Sequence, residues 1–339
     1  MLLELYAQGY PKLQHMQTTY SQGTMKYLFR SIEFLLVVVV VFAVAGLFAT
    51  WAPDRTVAQL STRWAASPSQ FMEIAGMRLH YRDEGPKDDP QPIVLLHGTA
   101  DSLHTWDEWA RGLRSHRRVI RFDLPAFGLT GPSPDGDYST AAYTRLLVGV
   151  LDALGVQHCV LVGNSLGGQI AWETAVAEPR RVSKLVLIDA AGYPMAPQSV
   201  PIGFTLARMP GIKSLMEHVL PRGVIQSSLR NVYGDPTKVT PELIDRYYEL
   251  TLRTGNRAAM VQRMAQMQPG NTEALKTLDV PTLLLWGAHD RLIPLDNAHQ
   301  FERDIRGAKL VVFDDLGHVP QQEDPQRTLD ALRAFLNLV

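Results

Sequence analysis

The stretch 158-HCVLVGNSLGGQIAW-172 constrains the fold more than any other part of the chain. Cys159 to Val162 is an apolar run suited to a buried strand, and the residues from Leu166 onward suit a helix. Between them stands Ser165, boxed in by Gly163, Gly167 and Gly168. A hinge of this kind serves as a phosphate cradle, a structural turn or a nucleophile. A dinucleotide fingerprint needs glycine where Ser165 stands, and a P-loop needs a Lys-Ser or Lys-Thr that is missing here. What remains is Gly-x-Ser-x-Gly, in which a strained strand-to-helix turn lifts the serine hydroxyl above the sheet. The flanking glycines have no Cβ, so neighbouring chain can approach. The new helix aims its free N–H groups and positive end at the reacting centre.

The same alternation of strand and helix recurs along the chain. Residues 71–85 read as a hairpin turning at Ala75-Gly76, followed by strands at 92–96 and 118–125. Residues 139–155 form an amphipathic helix, with Ser139 or Thr140 as cap, Leu147, Val150, Leu151 and Leu154 as buried stripe, and Gly155 as stop. Strand 158–164, helix 166–177 and strand 183–190 come next; strands at 282–287 and 309–315 and a last helix at 325–337 follow. Short apolar strands separated by helices predict an α/β fold with a mostly parallel, doubly covered sheet. Residues 194–270 break the pattern: several short helices, no clear strand, and Met195, Met209, Met216, Met260, Met264 and Met267. An insertion there would sit over the carboxyl edge of the sheet as a helical lid, with methionine supplying a deformable apolar surface.

A serine hydroxyl needs a base. His318 follows the last strand at the same sheet edge as Ser165; His289 and His97 are the other candidates. The base needs an orienting carboxylate. Asp290 closes the preceding strand, with Asp189 as runner-up, while Asp314 and Asp315 lie too close to His318 along a strand. The oxyanion would take backbone N–H donors from Leu166, just after the nucleophile, and from Thr99, with His97 organising the loop.

Residues 34-FLLVVVVVFAVAGLFATW-51 carry no charge. Eighteen residues at about 1.5 Å each span roughly 27 Å, close to the hydrocarbon thickness of a bilayer. The expected organisation is a tail at 1–30, a transmembrane anchor at 31–52, a linker at 53–70, a core at 71–193 and 271–339, and the lid at 194–270. A cleaved signal peptide is the rival, with Ala43-Val44-Ala45 resembling a cleavage site inside the run. Lys26 and Arg30 lie nearer the run than Arg55 and Arg63, which predicts the amino terminus inside and the remainder on the extracytoplasmic side. A net charge of −1 leaves no electrostatic footprint for nucleic acid. The densest basic run, 111-RGLRSHRRVIR-121, reads as a solvated helix end and loop. The single cysteine, Cys159, cannot form an intrachain disulfide and reads as a small core residue. No Cys–Cys or His-x3-His spacing suggests a metal, and no cofactor is expected.

These residues resemble the α/β-hydrolase superfamily over about residues 71–339. The resemblance implies Ser165 as nucleophile, Asp290 as acid, His318 as base, and Thr99 and Leu166 as the oxyanion hole. The segment 122-FDLPAFGLTGPS-133 is similar to the family's Asp-x-Pro-Gly-x-Gly-x-Ser turn, with Ala126 for a glycine and Thr130 for a serine. A serine nucleophile argues against the aspartate-dependent dehalogenases and epoxide hydrolases of the same fold. The leading expectation is a membrane-anchored serine carboxylesterase or lipase that acts on a lipophilic small-molecule ester through an acyl-enzyme. The alternative is a carbon–carbon hydrolase of the meta-cleavage type, which resembles this chain also in Asn164 before the nucleophile. Such an enzyme takes an anionic substrate, so lid cations should face the pocket: Arg208, Arg253, Arg257 or Arg263. A non-catalytic ligand-binding protein on the same fold is the third reading.

Overall fold

A computed structural model describes residues 11–194, 196–209 and 218–338. The chain divides into two compact units at Trp51/Ala52. In the first, one helix runs over Pro11–Thr50. The segment expected as a tail is therefore helical from Pro11 onward. Its part Phe29–Thr50 is long and apolar enough to cross a membrane, and Phe34, Phe42 and Phe48 expose most of their surface.

The second unit carries eight strands: β1 Gln70–Ile74, β2 Met77–Glu84, β3 Ile93–Leu96, β4 Val119–Phe122, β5 Cys159–Asn164, β6 Val182–Ile188, β7 Thr282–Gly287 and β8 Lys309–Phe313. They form one sheet in the order β1-β2-β4-β3-β5-β6-β7-β8. β1 and β2 pair antiparallel, as do β2 and β4; every later pair is parallel. Ala75 and Gly76 both take positive φ, 50° and 73°, the backbone a two-residue hairpin turn requires.

Alternate residues of each central strand feed two separate cores. Val94, Leu96, Leu161 and Leu187 join one cluster, with Leu147, Val150, Leu151 and Ile170 from helices Thr140–Ala153 and Leu166–Ala177. Ile93, Leu95, Val162 and Ile188 join the other, with Trp109, Leu329 and Leu332 from helices Asp107–Leu113 and Pro325–Leu336. Both faces of the sheet are dry at its centre, which is why β3, β5 and β7 are apolar at nearly every position. Cys159 sits in the first cluster at zero exposure, and burial pushes its thiol up to about 12.

Between β6 and β7 the described residues hold helices Ile202–Ala207, Arg222–Val232, Pro241–Thr251 and Asn256–Ala265. No strand interrupts them. Met195 and Met216 lie outside the described residues. The linker is not a free tether. A Thr56–Gln59 capping box starts a helix over Val57–Trp64, whose Leu60 packs with Leu129 and Leu250. Arg55 N–H donates to Leu252 (2.6 Å), and Thr254 N–H donates back to Arg55 (2.9 Å).

The basic run is corrected in part. Its first half is the expected helix end and loop, with Arg111, Arg114 and His116 exposed, but Arg118 and Arg121 are buried, at 8 % and 2 % exposure, on or beside β4. Arg118 forks onto Asp83 with two bonds of 3.0 Å, and Arg121 bridges Glu84 (2.7 Å) and Asp107. The antiparallel pairing of β2 with β4 sets Arg82, Asp83 and Glu84 opposite Arg121, Ile120 and Val119, so the cations meet carboxylates across the ladder.

Candidate active site

Strand β5 ends at Asn164 and the helix begins at Leu166, so Ser165 must absorb the whole change of direction. It does so at φ 55°, ψ −115°, a conformation costly for any residue with a side chain. The turn is held from both sides. Ser165 N–H donates to Ile188 O (3.0 Å), and Ser165 O accepts from Ala191 N–H (3.1 Å). The glycines are required by approach. A Cβ on Gly163 would stand 2.1 Å from Gly167 O, and one on Gly167 would stand 2.2 Å from Leu96 O.

His318 follows β8, and its Nδ1 lies 2.6 Å from Asp290 Oδ2. The other oxygen of Asp290 accepts from Leu292 N–H (2.8 Å) and Ile293 N–H (2.9 Å), so the carboxylate is fixed before it meets the imidazole. Both residues are buried. Ser165 and His318 line one cavity of about 180 Å³. Among the described residues Ser165 Oγ makes no hydrogen bond with the imidazole; in unliganded enzymes this contact is often long and tightens on binding. Thr99 and Leu166 line the same cavity, and neither backbone N–H donates to an acceptor among the described residues. Two spare donors beside a serine suit a developing oxyanion.

The other candidates separate cleanly. His97 is a loop organiser: its Nδ1 bonds Gly98 O (2.7 Å) and its Nε2 accepts from Leu124 N–H (2.9 Å). His289 is exposed. Asp314 and Asp315 are exposed, with Asp315 on Arg327. Asp189 is buried near Asp290, and it is Asp290 that bonds His318. The departure at Ala126 is a strained one, since Ala126 adopts φ 80° where glycine would be free. Thr130 keeps the hydroxyl role, accepting from His80 N–H at 3.0 Å.

Sequence reasoning missed two positioning groups. Asn164 Nδ2 donates to Ile188 O (3.1 Å) and to His318 O (3.0 Å), tying the elbow to the backbone of His318. Glu323 accepts from Gly317 N–H and Gly234 N–H (both 2.9 Å) and from Asp235 N–H (2.7 Å), joining the histidine loop to the helical insertion. Glu323 stands five residues after His318 beside a second acid, Asp324, and nothing in the sequence separates the two.

The cavity wall is mostly apolar. Phe204, Val224, Leu229, Met260, Met264 and Leu292 supply much of it. Of the four arginines considered from sequence, Arg253 does not line the cavity, and its Nη1 and Nη2 donate to Thr254 O and Thr130 O. Arg208 reaches the wall but is exposed. Arg257 pairs with Asp54 of the linker (2.6 Å). Arg263 lines the cavity at 5 % exposure, with no hydrogen-bond partner at Nε or Nη1 and no carboxylate partner among the described residues. Burial lowers its guanidinium pKa, with Tyr143 opposing that shift.

A family model described as the alpha/beta hydrolase fold matches residues 91–325. The chain belongs to the α/β-hydrolase family. Within it, the chain is 32 % identical over 290 residues to the 2-hydroxymuconate semialdehyde hydrolase of Pseudomonas putida, covering 80 % of this chain and 96 % of that one. Among solved structures it resembles a meta-cleavage product hydrolase from Pseudomonas fluorescens IP01 (27 % identity, TM-score 0.68, 79 % of this chain and 97 % of that one). A membrane phospholipase A matches at 23 % identity and TM-score 0.68 over 92 % of this chain and 98 % of its own, a likeness of fold alone. This family member is a hydrolase.

Proposed function

We propose that this hydrolase cleaves a carbon–carbon bond in an anionic vinylogous diketone, with Ser165, His318 and Asp290 as the catalytic residues and Arg263 holding the substrate's carboxylate. The observation that carries the reading is Arg263. A buried guanidinium with unused donors is costly unless an anion meets it, and the wall of the serine's own cavity is where a substrate would supply one. The meta-cleavage relatives support the same choice.

The chemistry is a retro-Claisen cleavage. Ser165 Oγ attacks the ketone carbon as His318 takes its proton. The oxyanion sits on the N–H groups of Thr99 and Leu166. Cleavage takes place from the diketo tautomer, in which the proton of the 2-hydroxyl has moved to the carbon next to the ketone; as the carbonyl re-forms, the C–C electron pair flows through the conjugated enone onto its oxygen as a dienolate, and His318 returns the proton to that fragment. Water, deprotonated by His318, then releases the acid from Ser165. Substrate and one water give two products, with no redox partner.

Hydrolysis of a lipophilic carboxylic ester is the second reading, favoured by the apolar wall of the cavity. A panel of 2-hydroxy-6-oxodienoates and p-nitrophenyl esters separates the two. The proposal expects loss of the dienoate chromophore by wild type and none by Ser165→Ala. Ester turnover alone would overturn it.

The N-terminal helix is proposed as a single-pass anchor with the catalytic unit on the extracytoplasmic side, supported by the span Phe29–Thr50 and by Lys26 and Arg30 near its start. Full-length protein that is released by carbonate, or that appears shortened at its amino terminus, would count against an anchor and for a cleaved signal.

A further inference from the structure

Asp189 stands at the end of β6 in a left-handed backbone conformation, φ 43°, and is fully buried. Its Oδ1 accepts from Gly287 N–H (3.0 Å), and its Oδ2 has no donor. One oxygen of Asp189, one of Asp290 and one ring nitrogen of His318 lie within 4.8 Å of one another. Two buried carboxyl groups so close cannot both carry charge at low cost. Asp290 receives two backbone N–H bonds and lies against His318, whereas Asp189 receives one bond. The proton therefore belongs on Asp189.

We propose that Asp189 is a positioning residue of the triad, a neutral carboxylic acid whose O–H donates to the Asp290 carboxylate and holds it against His318. The orphaned Oδ2 then has a partner, and the chain of bonds runs Asp189 to Asp290 to His318 toward Ser165. The groups facing Asp189 agree. Burial, the negative charge of Asp290 and that of Glu323 all push its pKa well up, against the single bond from Gly287. His318 is bonded to Asp290 rather than to Asp189. The proposal rests on the triad assignment, so its test needs one readout that does not use it.

That readout is infrared difference spectroscopy of the full-length protein, wild type against Asp189→Asn, at neutral pH. The carbonyl stretch of a buried protonated carboxyl should be present in wild type and missing in the variant; its absence from wild type overturns the proposal. The second readout is the rate at which a fluorophosphonate labels Ser165. Asparagine supplies an N–H donor in place of the O–H, so Asp189→Asn should react near the wild-type rate. Asp189→Leu should react about 10- to 100-fold more slowly, as expected for a lost bond to a charged group. The alkaline loss of reactivity expected of wild type, when Asp189 ionises, should be absent from Asp189→Asn. Equal impairment of both variants, or an unchanged alkaline limb, assigns Asp189 a purely structural role and overturns the proposal. If Ser165 in wild type is not labelled at all, the hydrolase reading fails, while the infrared band still reports the proton on Asp189.

Discussion

The arginines of residues 111–121 and the arginine at 263 are treated in opposite ways by one fold. Arg111, Arg114, Arg117, Arg118 and Arg121 each meet a carboxylate, whether exposed or buried. Arg263 is as buried as Arg118 and meets none among the described residues. Where a cation serves the fold, its counter-charge is built in; at Arg263, in the proposed reading, that partner is left for a substrate to bring. A dense basic run is therefore a poor guide to binding, and a single unpaired buried guanidinium is a good one.

The largest effect should come from breaking a built-in pair. Arg121→Leu leaves buried Glu84 with only the exposed Arg114 and leaves Asp107 with Arg82, and should cost about 3 kcal/mol of stability, the low end for a broken buried pair, with KM unchanged in the fraction that folds. Denaturant titration beside steady-state kinetics checks this. Arg263→Leu should invert the pattern: kcat/KM for an anionic substrate falls by about 1.5–3 kcal/mol, roughly 10- to 100-fold, with stability unchanged or improved. A destabilised Arg263→Leu variant with normal kinetics would erase the contrast.

Smaller effects follow from the acids. Burial alone would raise Glu84, but Arg121 and Arg114 hold it below its usual range, so its contribution is present above about pH 4.3, the unfolded value, and is lost as pH falls. Asp189 has the opposite sign. Its raised pKa means the folded chain holds a proton that the unfolded chain has released above about pH 3.9, so it costs stability as pH rises from there. Asp189→Asn should thus gain stability over wild type at neutral pH, with the gain closing as pH falls toward 4 in a series of thermal melts. The smallest effect is Arg111→Ala, which removes an exposed pair with Glu108 and should change stability by under about 0.5 kcal/mol.

Much of this was legible in the sequence, for identifiable reasons. The sheet was legible because strands covered on both faces must be apolar throughout, and Ser165 because only glycine fits at Gly163 and Gly167. His318 and Asp290 were legible from their place after successive strands, and the hydrogen bond between them follows that placement. The linker's weld to Leu252 and Thr254 was not legible, because it is made by backbone groups that carry no residue signature. Nor was the pairing of the basic run: Arg118 and Arg121 find Asp83 and Glu84 only through the β2–β4 register. The charge state of the cavity arginines was hidden for the same reason, since Arg257 is neutralised by Asp54, some two hundred residues away in the chain.

The most direct measurement compares kcat/KM for a 2-hydroxy-6-oxodienoate with that for its methyl ester, in wild type and in Arg263→Leu. If Ser165 acts on an anion held by Arg263, wild type prefers the free acid, and the variant loses that preference by about 10- to 100-fold without losing turnover of the methyl ester. Equal turnover of acid and methyl ester by wild type, unchanged in the variant, would contradict the assignment of Arg263 and return the cavity to a neutral lipophilic ester.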